Sequence, residues 1–170
     1  MSSAGPSLSL ATDVSVDVLD LIAWSRGLTN EPDAAVGARA FETAMMGDLL
    51  PDWYDDWIMV ERERLRQLRL HALERACVVL SKAGEYGRAI EAGLTAIREA
   101  PLHESGHAAL INAHLCEGNR AEALSQYRAY ARLMRDELGL SPSPALAALV
   151  RPLLTAASGV GWPSSRVPVS

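Results

Sequence analysis

The same pattern of small residues occurs twice in this chain, at an interval of 34 residues. Gly84 is followed by Gly118, and Ala89 is followed by Ala123. A regular period of roughly 20 to 50 residues indicates stacked supersecondary units, because one unit cannot bury its hydrophobic face alone. Each unit has room for a pair of helices. The repeat therefore predicts an all-α fold of stacked helical hairpins, an α-α superhelix.

The spacing and the residue types are tetratricopeptide-like. The first unit has this repeat's order of small, aromatic, small, small and proline residues, at Gly84, Tyr86, Ala89, Ala96 and Pro101. Small residues on the second helix of a pair let the first helix approach closely, and the proline ends the unit. Two units are few for such an array, so we expect residues 16–56 to cap one end and residues 143–156 the other.

Apolar residues recur every three or four positions along most of the chain, which predicts about seven helices. Two short helices are expected within residues 17–46, after a possible strand remnant in residues 8–16. Longer helices are predicted at 54–83, 86–99, 103–117 and 120–138, and a last helix runs from Ser143 to about Ala156. Gly84 and Gly118 are expected to end helices, and Asn119 with Glu122 forms a plausible reciprocal cap.

The repeat register predicts which side chains point inward. We expect the inner positions of the two hairpins to be Ala72, Leu73, Ala76, Cys77, Val79, Leu80, Tyr86, Ala89, Ile90, Leu94, Ala96, Ile97, Leu110, Ile111, Ala113, Ala121, Ala123, Leu124, Tyr127 and Tyr130.

The length of 170 residues suits one domain of ordinary size. We expect a flexible lead or winged-helix remnant at 1–13, a helical domain at 14–156 and a disordered tail at 157–170. No apolar run is long enough to span a membrane. Cys77 and Cys116 lie outside any Cys-x-x-Cys pattern and are most simply buried thiols in a reducing cytoplasm.

The net charge of the chain is −5, and its acidic residues are concentrated in the first 56 positions. Phosphate contacts supply most of the non-specific affinity for nucleic acid. An acidic chain without a concentrated basic face is therefore expected to bind nucleic acid poorly on its own.

Several motifs, in order along residues 14–152, give the chain a family resemblance. They are the entry motifs at 49–57 and 61–65, the junction motifs at 100–105 and 118–124, and the closing motif at 137–144, which reads Glu-Leu-Gly-Leu-Ser-Pro-Ser-Pro. Together they resemble the bacterial transcriptional activator domain (BTAD) of the antibiotic regulatory proteins of actinobacteria, the SARP family.

This resemblance implies a helical domain that mediates oligomerisation and protein contacts in transcriptional activation. Family members carry a winged-helix DNA-binding domain before it, which would need about ninety more residues upstream. We expect DNA contact only through that domain, which is absent from this chain. The expected partners are thus the transcription machinery or a second copy, in the cytoplasm. The alternative is a stand-alone adaptor or oligomerisation protein unrelated to transcription, and neither reading requires a cofactor.

The residues that could carry chemistry have simpler explanations. His103 to His107 satisfies the zinc-protease pattern His-Glu-x-x-His, but the longer signature fails and the pattern lies in the first turn after Pro101. A hydrogen-bonded packing role is expected for His107 and His114. Cys77 and His71 lie on different helix faces, so a structural cysteine is favoured. No catalytic, cofactor-binding or metal-binding residue is predicted.

Two surface patterns are also given structural interpretations. Arg62, Arg66 and Arg69 form a stripe at helical spacing, but Glu61, Glu63 and Glu74 interleave with it, which favours a solvated face of salt bridges. The aromatic residues Trp53, Tyr54 and Trp57 could bind a partner, but they stand where a helix begins, which favours packing.

Stacked helix pairs leave a groove lined by their first helices, and such grooves bind peptides or partner helices. Carried over from tetratricopeptide proteins, the expected groove residues are His71, Glu74, Val78, Ser81, Ser105, Ala108, Asn112 and Leu115.

Overall fold

A computed structural model describes residues 41–42 and 56–159, with side chains described for 41–42 and 58–155. Within these residues all regular structure is helical, which confirms the predicted fold class. The chain forms helices α1 (Asp56–Lys82), α2 (Tyr86–Glu99), α3 (Glu104–Glu117), α4 (Arg120–Leu138) and α5 (Pro144–Gly159). Phe41 and Glu42 are also helical. The expected strand remnant, and the rest of the two early helices, lie outside the described residues.

The observed helix ends follow local signals in the sequence. Gly84 and Gly118 have φ angles of 80° and 88°, a left-handed conformation that glycine adopts without steric cost. The Asn119 side chain accepts a hydrogen bond from the Glu122 backbone N–H, at 3.4 Å. The reciprocal half of the predicted cap is wrong, because the Asn119 N–H donates to the His114 carbonyl instead. Helix α5 extends to Gly159, beyond the expected end at about Ala156.

The helices form two successive hairpins and a closing helix. Helix α1 pairs with α2 and α3 pairs with α4, while α3 also packs against α1 and α5. Ala89 and Ala123, which are equivalent in the repeat, are both 0% exposed at the centres of the hairpins. One apolar cluster fills the space between α1, α2 and α3, and a second lies between α3, α4 and α5.

Helix α2 approaches α3 closely because Gly93 has no side chain. A Cβ atom built on Gly93 would lie 3.1 Å from the Cβ of Leu110 and 3.3 Å from the Sγ of Cys77. Phe41 belongs to the same cluster, and the guanidinium of Arg88 lies 5.8 Å from the centre of its ring.

Two of the predicted inner positions are wrong, and so is the expected burial of Cys116. Leu94 is 49% exposed, because it lies about 140° around α2 from Ala89, on the opposite face. Ala121 and Cys116 are also exposed, each near the end of a helix where no neighbouring element covers it. The buried residues on α2 that the prediction missed are Ala92, Gly93 and Thr95.

Candidate functional site

A groove runs along the side of the molecule formed by α1, α3 and α5. Helices α1 and α3 each contribute four residues at spacings i, i+3, i+4 and i+7, which place side chains on one helix face. The groove has a volume of about 390 Å³ and is lined by His71, Glu74, Arg75 and Val78 of α1, Ser105, Ala108, Ala109 and Asn112 of α3, and Leu149 of α5.

The lining of the groove combines apolar side chains with a carboxamide. Val78, Ala108, Ala109 and Leu149 give it an apolar surface. The Asn112 side chain is half-buried, and its carboxamide makes no hydrogen bond to another residue in the described part of the chain. A carboxamide has both donors and an acceptor, so Asn112 can bond the N–H and C=O groups of a bound backbone.

Glu74 joins α1 to the beginning of α3 at the polar end of the groove. Its carboxylate accepts a hydrogen bond of 2.6 Å from the Ser105 hydroxyl and lies 3.0 Å from Nδ1 of His103. His71 Nδ1 lies 3.6 Å from the same carboxylate. Only 12% of the Glu74 side chain is exposed, so these contacts satisfy a largely buried charge and fix its position.

Helix α5 completes the groove because its first turn is held against α3. The backbone N–H of Ser143 donates to the Glu104 carboxylate at 2.9 Å, and the Ser143 hydroxyl accepts from the Leu146 N–H at 3.2 Å. Leu146 and Val150 are buried against α3 and α4. Leu149 lies about 60° from Leu146 and about 100° from Val150 around α5, on the flank that faces the groove.

A hydrogen-bonded histidine holds α3 against α4 behind the groove. His107 is 4% exposed, and its Nε2 lies 2.8 Å from the Pro101 carbonyl, to which it donates. Its Nδ1 accepts from the Gln126 carboxamide at 2.9 Å. The ring stacks on Tyr130 at 4.1 Å. Burial lowers the pKa of His107 and raises the pKa of Tyr130.

Six of the eight predicted groove residues line the groove together. Ser81 does not, because it is buried and donates to the Cys77 carbonyl. Leu115 packs against the cluster between α3, α4 and α5. The prediction missed Arg75 and Ala109, which the i+4 spacing from His71 and Ser105 would have found. No local pattern in the chain points to Leu149. The binding role of all these residues stays a prediction.

The His-Glu-x-x-His pattern places its two histidines in different environments. His103 contacts Glu74 on α1, whereas both ring nitrogens of His107 are engaged by Pro101 and Gln126. The predicted hydrogen-bonded role therefore holds for His107. It is wrong for His114, whose buried Nδ1 has no hydrogen-bond partner within the described residues. Burial raises the pKa of the Cys77 thiol to about 12, which disfavours the nucleophilic thiolate.

The salt-bridged face predicted on α1 is confirmed in part. Arg64 pairs with Glu61 and Arg66 with Glu63 on the surface, whereas Arg69 and Glu99 are largely buried and Glu74 contacts His103. Arg66 bonds Glu63 at 2.9 Å, and Arg69 reaches Glu99 of α2 at 2.8 Å. Hydrogen bonds from Arg66 and Gln67 lower the pKa of Glu63 to about 2. The aromatic residues at 53, 54 and 57 lie outside the described side chains. No helix in the described part of the chain has the length and apolar composition needed to cross a membrane.

Comparison with known proteins points to a single family. The model of the bacterial transcriptional activator domain matches residues 16–154. The chain is 34% identical to regulatory protein AfsR of Streptomyces coelicolor over 111 residues, which are 65% of this chain and 11% of that protein. It is also 34% identical to regulatory protein AfsR of Streptomyces griseus over 105 residues, 61% of this chain and 11% of that protein. The match thus spans about a tenth of each relative's length.

Proposed function

Because the chain belongs to the bacterial transcriptional activator domain family, we propose that it is the partner-binding module of a transcription regulator and that its groove holds a segment of another protein chain. The relatives are regulatory proteins, which favours a role in regulation over catalysis. The cellular site that suits this role is the cytoplasm.

The apolar groove with the unpartnered Asn112 carboxamide is the observation that carries this proposal. The volume of about 390 Å³ falls within the range of binding pockets, roughly 300 to 1,000 Å³. Val78, Ala108 and Leu149 provide an apolar surface for one inserted side chain, while Asn112 bonds the backbone beside it. Peptide-binding grooves between helices use this combination of apolar anchors and a few fixed polar groups.

The test fills the groove with a larger side chain. Ala108 is half-buried in the groove, so Ala108→Phe places a ring where the ligand side chain would sit. Ala121→Phe is the matched control, because Ala121 is exposed on α4 and does not line the groove. Thermal unfolding of both variants confirms that they are folded.

Binding is measured against two probes, purified actinobacterial RNA polymerase holoenzyme by surface plasmon resonance and the chain itself by sedimentation equilibrium. We expect the parent to bind at least one probe, Ala108→Phe to weaken that binding at least tenfold, and Ala121→Phe to leave it unchanged. Asn112→Ala should weaken it by about tenfold, the value of one buried hydrogen bond. If the folded Ala108→Phe variant binds as tightly as the parent, or if the parent binds neither probe, the proposed binding role of the groove is refuted.

A further inference from the structure

The arginines of the described part of the chain fall into two groups. Those on α1 and α2 are engaged in ion pairs, hydrogen bonds or other contacts, such as Arg66 with Glu63 and Arg69 with Glu99. Among the described side chains, the arginines without any such contact all lie on α4 and α5, at Arg120, Arg128, Arg132, Arg135 and Arg151.

Three of these unpaired arginines form a continuous stripe on α4. Arg128, Arg132 and Arg135 are all exposed and lie within a sector of about 60° over about 10 Å of helix. Their side chains can therefore contact one ligand at the same time. On the same face, the exposed residues before them are short, at Ala121 and Ser125, so nothing bulky blocks an approaching surface. We call Arg128, Arg132 and Arg135 the arginine stripe.

The carboxylates of α4 do not neutralise the stripe. Glu122 and Glu137 lie on other sides of the helix, and Asp136 lies at the edge of the stripe without an ion pair to any arginine. Glu104 and Glu117 belong to α3, where Glu104 accepts a hydrogen bond from Ser143 and Glu117 lies 3.8 Å from Nδ1 of His114. The positive charge of the stripe is thus available to an anionic ligand, even though the chain as a whole has a net charge of −5.

We propose that the arginine stripe contacts the phosphate backbone of double-stranded DNA. Arginine is suited to phosphate because its guanidinium donates two parallel hydrogen bonds to it. An acidic protein would also attract arginine, but protein interfaces depend on a buried apolar or aromatic centre. The centre of the stripe, at Arg132, has none. Of the large exposed apolar residues, Leu138 and Leu140 lie beyond the C-terminal end of the stripe, whereas Met59, Leu94 and Leu149 lie on other helices.

The stripe lies on a helix that contributes nothing to the groove. Its role is therefore independent of the proposed partner binding. Three phosphate contacts carry no base readout, so the contact is sequence-independent and weak. Such a contact keeps this domain close to DNA that another part of the same regulator already binds. It adds to the DNA contact expected from a winged-helix domain.

The experiment measures binding of the full chain to a fluorescein-labelled 20-base-pair duplex of arbitrary sequence, by fluorescence anisotropy at 50 to 200 mM NaCl. A dissociation constant of about 10 to 100 µM is expected at 50 mM salt, in the range of non-specific binding. Three phosphate contacts give a slope of about −2.7 in log K against log salt, which is a loss of about 40-fold over this range.

The test variant is R128Q/R132Q/R135Q, and the matched control is R62Q/R64Q/R66Q, which removes the same charge from α1. The test variant should lose at least tenfold in affinity at 50 mM salt and most of the salt slope, while the control stays within about twofold of the parent. Circular dichroism verifies that both are folded. A labelled poly-glutamate peptide, measured in the same way, represents the alternative ligand, an acidic protein.

Three results would each overturn the proposal. The first is that the parent does not bind the duplex at concentrations up to 500 µM, roughly five times the weakest expected dissociation constant. The second is that the test and control variants lose the same affinity for the duplex. The third is that the parent binds poly-glutamate as tightly as DNA. The last result would assign the stripe to an acidic protein instead.

Discussion

Adding one methyl group at Gly93 should destabilise the fold, whereas the same change at Gly87 on the same helix should not. Both glycines lie in α2, where alanine is the better helix former. The main difference between them is what surrounds the added atom. A Cβ atom at Gly87 would meet nothing within 4 Å, whereas at Gly93 it would lie 3.1 Å from the Leu110 Cβ.

The size of the effect follows from two opposing contributions. Alanine in a helix interior is favoured over glycine by about 0.8 to 1 kcal/mol, and somewhat less at Gly87, in the first turn. Overpacking a dense core costs about 1 to 3 kcal/mol. The Leu110 Cβ is fixed to the α3 backbone, so α2 and α3 must separate by a few tenths of an ångström. Gly93→Ala should therefore lose about 0 to 2 kcal/mol, and Gly87→Ala should gain about 0.5 kcal/mol.

Urea unfolding at 25 °C, followed by circular dichroism, measures both free energies of unfolding. We expect Gly93→Ala to unfold at the lower urea concentration, with about 0.5 to 2.5 kcal/mol separating the two variants and with equal m-values. A Gly93→Ala variant as stable as Gly87→Ala, or more stable, would show that the close approach of α2 to α3 does not limit the packing of the core.

Two further predictions concern titratable groups in the core and on the surface. Burial lowers the pKa of His107 in the folded chain, so the unfolded state binds more protons below about pH 6.5. The free energy of unfolding therefore decreases as the pH is lowered below this value, by at most about 1.4 kcal/mol per pH unit, until the pH reaches the pKa of His107 in the folded state. His107→Gln should lose this pH dependence of the free energy of unfolding. The measurement is urea unfolding at pH 7.5, 6.5 and 5.5, and identical pH profiles for the parent and the variant would contradict the prediction. Exposed Cys116 should react at once with an aromatic disulfide reagent, whereas buried Cys77, with its pKa raised to about 12, should react only on unfolding. The prediction would be contradicted if two thiols of the native protein reacted rapidly, or if the remaining thiol of the Cys116→Ser variant did so.

The boundaries of the helices could be predicted from the sequence because short-range interactions determine them. Glycine at 84 and 118 adopts a left-handed conformation, and the Asn119 side chain caps the next helix, each through contacts a few residues away. The orientation of each helix was harder to predict. Leu94 fits an apolar period, yet it faces solvent because the smaller face around Gly93 is the one that packs against α3.

Helical periodicity was sufficient to predict most of the groove residues on α1 and α3. The residues of α1 and α3 follow one face of each helix, so the register of the repeat locates most of them. Leu149 could not be predicted in the same way. Its position depends on the hydrogen bond from Ser143 to Glu104, two residues 39 positions apart, which no local pattern reveals.

The hairpin architecture explains why one small domain can present two unlike surfaces. The first helices of the hairpins, α1 and α3, line the groove with α5, while α2 and α4 contribute no residue to it. Small residues at Ala89 and Ala123 bring the helices of each pair together, so their outward faces are free to differ in chemistry. Ala108 in the groove and Arg132 on the stripe lie on different helices and share no hydrogen-bond partner in the described chain. Sites that share no partners have largely independent effects, so a failure of either proposed contact leaves the other to be judged on its own measurement.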